Sequence, residues 1–127
     1  MVENKPQAPR ILLAEPADLL RKVLKDRLRS EGYQVKAVAN GLELLEAMEQ
    51  QGADLIIAEE LLPFRNGFEV IKTATELNIP VIIISDADLE EKILEAFELG
   101  ASDFIDKPFS PNEMVARAKN VLKKRSL

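Results

Sequence analysis

The chain of 127 residues contains no cysteine and no histidine. Without cysteine there are no disulfides, iron–sulfur clusters, thiolate zinc sites or thiol nucleophiles. Without histidine there is no Ser-His-Asp triad, no imidazole metal site and no phosphohistidine relay residue. Whatever chemistry the chain carries rests on carboxylates, hydroxyls, lysines and backbone groups. Basic excess is lacking as well: 17 Lys and Arg stand against 22 Asp and Glu, a formal net charge of −5. That balance argues against a nucleic-acid surface on this domain. No apolar run approaches the roughly 20 residues of a membrane span. Met1 to Pro9 is polar, with two prolines and no signal-peptide hydrophobic region. The expectation is a soluble cytoplasmic domain with no membrane contact. Internal repeats, low-complexity segments and Gly-rich phosphate loops are also missing, so nucleotide binding has little support.

What is present suffices for one packed domain: 46 % of the residues are hydrophobic. Continuous apolar runs at Arg10–Ala14, Asp54–Ala58 and Val81–Ile84 read as strands covered on both faces. Tyr33–Val38 alternates and suits an edge strand, and Asp103–Asp106 is a fifth candidate. Helical stripes lie between them: Leu20, Val23, Leu24 and Leu28; Leu42, Leu45 and Met48; Val70, Ile71, Ala74 and Leu77; Ile93, Ala96 and Phe97; Met114, Val115, Ala118, Val121 and Leu122. Gly32, Gly52, Pro80 and Gly100 stop the first four. The last opens on Ser110, Pro111 and Glu113, where an N-cap, a first-turn proline and a capping box coincide. Lys123-Lys124-Arg125 reads as a solvated helix end favoured by the helix dipole. Five strands alternating with five helices must form a parallel sheet with right-handed crossovers. The fold class is therefore α/β, a single doubly wound domain over 10–124, with a flexible leader 1–9 and a tail 125–127.

In open sheets of this kind the site lies beyond the carboxyl ends of the strands. Glu15, Pro16 and Asp18 follow the first strand, Glu59 and Glu60 the third, Ser85 and Asp86 the fourth, and Asp106-Lys107-Pro108 the fifth. Asp18 and Asp86 fit ordinary helix caps. Glu15, Glu59 and Lys107 fall where adjacent strands converge, and fit that account less well.

Four stretches carry a resemblance over Arg10–Lys124: Ile11-Leu-Leu-Ala-Glu15; Asp54-Leu-Ile-Ile-Ala-Glu-Glu-Leu-Leu-Pro63 with Asn66-Gly67; Pro80-Val-Ile-Ile-Ile-Ser85; and Gly100-Ala-Ser-Asp-Phe-Ile-Asp-Lys-Pro-Phe109. The chain resembles a response-regulator receiver (CheY-like) domain of two-component, phosphorelay signalling. The resemblance implies the flavodoxin-like fold, five parallel strands in the order 2-1-3-4-5 with five helices. It implies a phosphoacceptor position at Glu59, phosphoryl-oxygen partners at Ser85 and Lys107, and a rotamer switch at Phe104. The metal positions would be Glu15, Glu59 and the carbonyl of Leu61. The Lys107–Pro108 bond is often cis in that family.

The departures from the family pattern bear directly on chemistry. Glu59 stands where the family has Asp, Pro16 replaces the second acidic residue, and Asp86 follows Ser85 where a small residue is usual. Mg²⁺ demands near-octahedral oxygen ligation, so Mg²⁺ binding is weakened by Pro16 and no cofactor is expected. In-line transfer depends on positioning, and about 1 Å of misplacement can cost ~10²-fold. Glu59 is expected to pair with Lys107 and to accept from Ser85 without phosphate, either as a passive ion pair or as a partial mimic of the phosphorylated state. Phe104 reads as core or as a switch; an inward phenylalanine strands no hydroxyl, which suits a static receiver.

The leading expectation is a degenerate pseudo-receiver, not an enzyme, that works by protein–protein contact. Its partners would be a histidine kinase, an output domain or protein, or a second copy, met through the last two helices and fifth strand. The contact residues would be Lys92, Leu94, Glu95, Asp103, Glu113, Arg117 and Lys119. Phe109–Arg117 is similar to receivers of the winged-helix transcription-factor group, which dimerise through this face. A working phosphoacceptor on Glu59 and a flavin or small-ligand module are the alternatives, the last lacking a phosphate loop after the first strand.

Overall fold

Runs of Ile, Leu and Val without polar interruption can be buried only where both faces of a sheet are covered. The computed structural model describes residues 7–86 and 90–125. The three runs become β1 (Arg10–Ala14), β3 (Leu55–Glu59) and β4 (Val81–Ser85), and all their residues except Arg10 are buried. The half-polar segments become the edges, β2 (Gln34–Val38) and β5 (Asp103–Asp106). All four pairings are parallel, in the order β2-β1-β3-β4-β5.

Five helices cross over between the strands: α1 (Asp18–Ser30), α2 (Gly41–Gln51), α3 (Gly67–Glu76), α4 (Glu90–Leu99) and α5 (Pro111–Arg125). They divide the core into two clusters. Ile11, Leu13, Leu55, Ile57, Ile82, Ile84 and Ile105 pack against α1 and α5. Leu12, Ala14, Ile56, Ala58, Ile83 and Phe104 pack with residues of α2, α3 and α4. Alternation along each strand therefore sorts odd from even positions onto opposite faces. Each fully buried Ile or Leu here contributes about 1.5–3 kcal/mol.

Some local expectations shift. Val23, Leu42, Leu77 and Phe97 leave their stripes and are exposed. The buried face of α2 is formed by Leu44, Ala47 and Met48, because Leu42 lies in the first turn, turned from the sheet. Asp18 does not cap α1; the cap is Ala17, with no side-chain bond, and Asp18 pairs with Arg21 at 2.7 Å. Ser110 Oγ accepts from the Glu113 amide at 3.0 Å, as an N-cap should. Of the expected leader, residues 1–6 lie outside the described part, while the carbonyls of Ala8 and Pro9 accept from Gln34. Residues 126 and 127 of the expected tail and 87–89 after Asp86 also lie outside it. The Lys107–Pro108 peptide is cis.

Candidate functional site

The carboxyl edge gathers Glu15, Glu59, Glu60 and Ser85, which are the buried polar or charged residues among those described. The parity of the strands separates them. Glu59 continues the Leu55 and Ile57 face, towards α1 and α5, and Glu15 continues the Ile11 and Leu13 face on the same side. Glu60 continues Ile56 and Ala58, and Ser85 continues Val81 and Ile83, on the side of α2, α3 and α4.

On the α1 side, Lys107 Nζ donates to Glu59 Oε1 at 2.7 Å, with the Glu59 side chain 7 % exposed and that of Lys107 28 %. The other oxygen, Glu59 Oε2, is buried without a hydrogen-bond partner. Burial pushes the Glu59 carboxyl above its ordinary value. The Lys107 hydrogen bond and charge oppose this, while the charges of Glu15 and Asp86 reinforce it. Glu15 Oε2 accepts the Ala17 amide at 2.9 Å, and Arg21 donates to the Glu15 carbonyl at 2.9 Å. Gly67 opens α3 directly behind the acceptor position: a Cβ there would stand 2.9 Å from the Glu59 carbonyl oxygen, so a side chain would force the loop apart.

On the α4 side the geometry corrects one expectation. Ser85 Oγ donates to Glu60 Oε1 and not, as expected, to Glu59, whose Oε2 has no hydrogen-bond partner. The strand register explains this. Glu59 is opposite Ile84, so Glu60 comes beside Ser85, and the Glu60 amide donates to the Ile84 carbonyl at 2.8 Å. Lys92 Nζ of α4 donates to Glu60 Oε2 at 3.0 Å. Glu60 is the site residue that sequence reasoning passed over, although period-two alternation from Ile56 and Ala58 already aims it at the α4 face. Phe104 is buried on that face with Ala96 and Ala101, its side chain directed inward.

The donor set does not fit the Mg²⁺ of the resembled family. Pro16 offers no side-chain oxygen, Glu59 Oε1 is held by Lys107, and Glu15 Oε2 by an amide. Leu61 is exposed at the rim. No group of three metal-ligating side chains converges among the described residues. Beside Lys107, a groove of about 490 Å³ runs between Leu20 and Leu24 of α1 and the Pro108–Phe109 turn. A larger groove of about 590 Å³ lies at the opposite end of the sheet, around Asn78, Pro80 and Asn120, far from these carboxylates.

The expected contact residues separate into distinct groups. Leu94 of α4 is exposed, and Glu95 is exposed beside it; Phe97, outside the expected set, is exposed on the same helix. Arg117 of α5 pairs with Asp103 of β5 at 3.0 Å and approaches Glu113 at 3.9 Å. Lys92 is tied to Glu60. Lys119 is a correction: it pairs with Glu31 at 2.9 Å, on the α1 side of α5. Two residues on from Arg117, the helix has turned about 200° away from β5.

A parallel sheet in this order, with an acidic carboxyl edge facing the lysine that follows the fifth strand, defines a flavodoxin-like α/β domain. The chain belongs to the response regulator receiver domain family, whose profile matches residues 11–119. It is 33 % identical over 115 residues to the sensory transduction protein RegX3 of Mycolicibacterium smegmatis, covering 90 % of this chain and 50 % of that protein. It is 32 % identical over 117 residues to the aerobic respiration control protein ArcA of Escherichia coli, covering 91 % and 49 %. The chain thus spans about half the length of these curated relatives. Among solved structures, the CheY-like receiver of Methanospirillum hungatei superposes with a TM-score of 0.88 at 25 % identity, covering 94 % of this chain and 97 % of that one. The receiver of Francisella response regulator 1452 gives 0.86 at 27 %, covering 92 % and 98 %. The chain is accordingly a receiver module of two-component signalling. No helix among the described residues is long and apolar enough to cross a membrane.

Proposed function

We propose that this receiver signals by protein–protein contact without being phosphorylated in the usual way and without acting as an enzyme. The observation that carries the reading is the Lys107–Glu59 pair at 2.7 Å. The ammonium that should await a phosphoryl oxygen is already neutralised by the side chain that should accept the phosphoryl group. A carboxylate drawn into a short charge-assisted bond is a weaker nucleophile, and the lysine it holds is less available to a phosphoryl oxygen. The acidic edge, with Asp86 beside it, also repels an incoming phosphoryl donor.

The contact face is formed by α4, β5 and α5. Exposed Leu94 and Phe97 supply an apolar centre, and Arg117, Asp103 and Glu113 supply a charged rim. A second copy, a kinase or an output protein in the cytoplasm fits that description. A second reading is favoured by one observation, the unpartnered Glu59 Oε2: a receiver that accepts phosphate on glutamate.

Intact mass after incubation with acetyl phosphate and Mg²⁺ separates the two. The native chain is expected to gain no phosphoryl mass, and Glu59→Asp shows whether the acceptor side chain alone is responsible. A labile adduct on the native chain that disappears in Glu59→Ala would establish the second reading instead.

A further inference from the structure

Of the two adjacent glutamates, Glu60 is the one with every polar group engaged. Its amide donates to Ile84, and its carbonyl accepts from Gly67 at 2.8 Å. Its Oε1 accepts from Ser85, and its Oε2 from Lys92 at 3.0 Å. Its side chain is 9 % exposed. A carboxylate buried to that degree is tolerated only with partners, and removing one partner is strongly unfavourable. The partners come from three different elements: Glu60 lies just past β3, Ser85 ends β4, and Lys92 lies in the first turn of α4. Lys92 is also the one cation that joins α4 to the acidic edge among the ion pairs of the described residues.

We propose that Glu60 is a positioning residue that latches α4 to the carboxyl edge of the sheet, doing from within the chain what a bound phosphoryl group would do from outside. The inference rests on the reading that the site works without phosphate, and it assigns the second half of that site. Glu59 holds the lysine, and Glu60 holds the hydroxyl. Two carboxylates together bring two charges and four oxygens, against the approximately two charges and three oxygens of a phosphoryl group. The division follows from alternation, since the unmodified Glu59 meets only Lys107 while the next residue points to the other face and meets Ser85. The latch ends on the helix that carries Leu94 and Phe97, so the contact face is held in one arrangement.

The test is hydrogen–deuterium exchange of the full chain, with no phosphoryl donor present, on the native protein, Glu60→Gln, Lys92→Met, Lys92→Arg and the Glu60→Gln/Lys92→Met double variant. Amides of α4 are expected to exchange about tenfold faster in either single neutralising variant. The double variant should be no faster than the quicker single, and Lys92→Arg, which keeps the cation, should stay near native. Amides of α1 and α2 report general destabilisation and should not move. Native α4 exchange in Lys92→Met, or single effects that multiply in the double variant, would overturn the latch. Should Glu60→Gln fail to fold, Lys92→Met against Lys92→Arg still decides. The two proposals fail separately. A phosphoryl adduct on Glu59 with the expected α4 exchange leaves the latch and removes phosphate independence. Unchanged α4 exchange with no adduct does the reverse.

Discussion

Glu59 and Glu60 are neighbours with the same side chain, yet their environments oppose each other. Glu60 has a donor for each oxygen, whereas Glu59 has one donor for two, and its second oxygen is buried. Burial accordingly raises the Glu59 carboxyl above its ordinary value despite Lys107. A raised value means that the folded state binds the proton more tightly than the unfolded chain does. The stabilisation from that proton is complete below the ordinary value and is lost as pH rises through the folded one. Glu59→Gln, which keeps an acceptor for Lys107 and removes the charge, is therefore expected to be more stable than the native chain at pH 7. Its advantage should shrink as pH falls through the raised value towards about 4.3, the unperturbed glutamate value, and stay level below that. Urea midpoints of both proteins between pH 3.5 and 8 measure this. A gap that widens on acidification would contradict the account.

At the scale of elements, the connection from β3 to α3 is where local backbone preference yields to tertiary fit. Phe64 adopts φ 71° and is 79 % exposed, so a bulky side chain occupies left-handed backbone without burial in return. That conformation costs about 1–2 kcal/mol for an L-residue, and glycine escapes it at a smaller unfolded-state penalty. Phe64→Gly is expected to leave stability equal or to raise it by up to about 1 kcal/mol. Gly41, at the start of α2, shows the converse: it lies against this loop, its amide donates to the Pro63 carbonyl, and a Cβ would overlap the Arg65 carbonyl oxygen. Gly41→Ala should destabilise by about 2–3 kcal/mol or more, because backbone has to move. Thermal melts of the pair provide the check, and a destabilised Phe64→Gly alongside a neutral Gly41→Ala would refute both arguments together.

On the proposed reading, the whole molecule presents an output face that ignores phosphoryl donors. Leu94 and Phe97 lie three residues apart on α4, about 53 % and 45 % exposed, and large apolar side chains in such a pair are typical interface anchors. Where the proposed face joins two copies of the chain, Leu94→Glu is expected to weaken that association at least tenfold, about 1.4 kcal/mol. Acetyl phosphate should leave the native association unchanged. Sedimentation across a concentration series reads both effects. Donor-dependent association, or a Leu94→Glu variant that sediments as the native chain does, would show that the face or its regulation has been misassigned.

Element order, parallel pairing and the gathering of carboxylates at the carboxyl edge were legible from the residues alone, because long-range pairing is forced once apolar runs alternate with helical stripes. Glu59 facing Lys107 was legible too, since each stands at the carboxyl end of its strand in step with Ile57 and Ile105, which share one face. Helix faces were less so: Val23 and Leu42 are apolar but lie outside the angular range that the sheet covers, and periodicity in a short helix does not resolve that. The choice of Ser85 for Glu60 over Glu59 belonged to tertiary structure. It needed the register that places Glu60 beside Ser85, and the docking of α4 that brings Lys92 to the same carboxylate. Lys119 was decided in the same way, by the rotation of α5 about its own axis rather than by any feature of the residues around it. Sequence determines which groups reach the end of each strand, since that is a matter of counting along the chain. Which of them meet depends on register and helix rotation, and those are set by packing across the whole sheet.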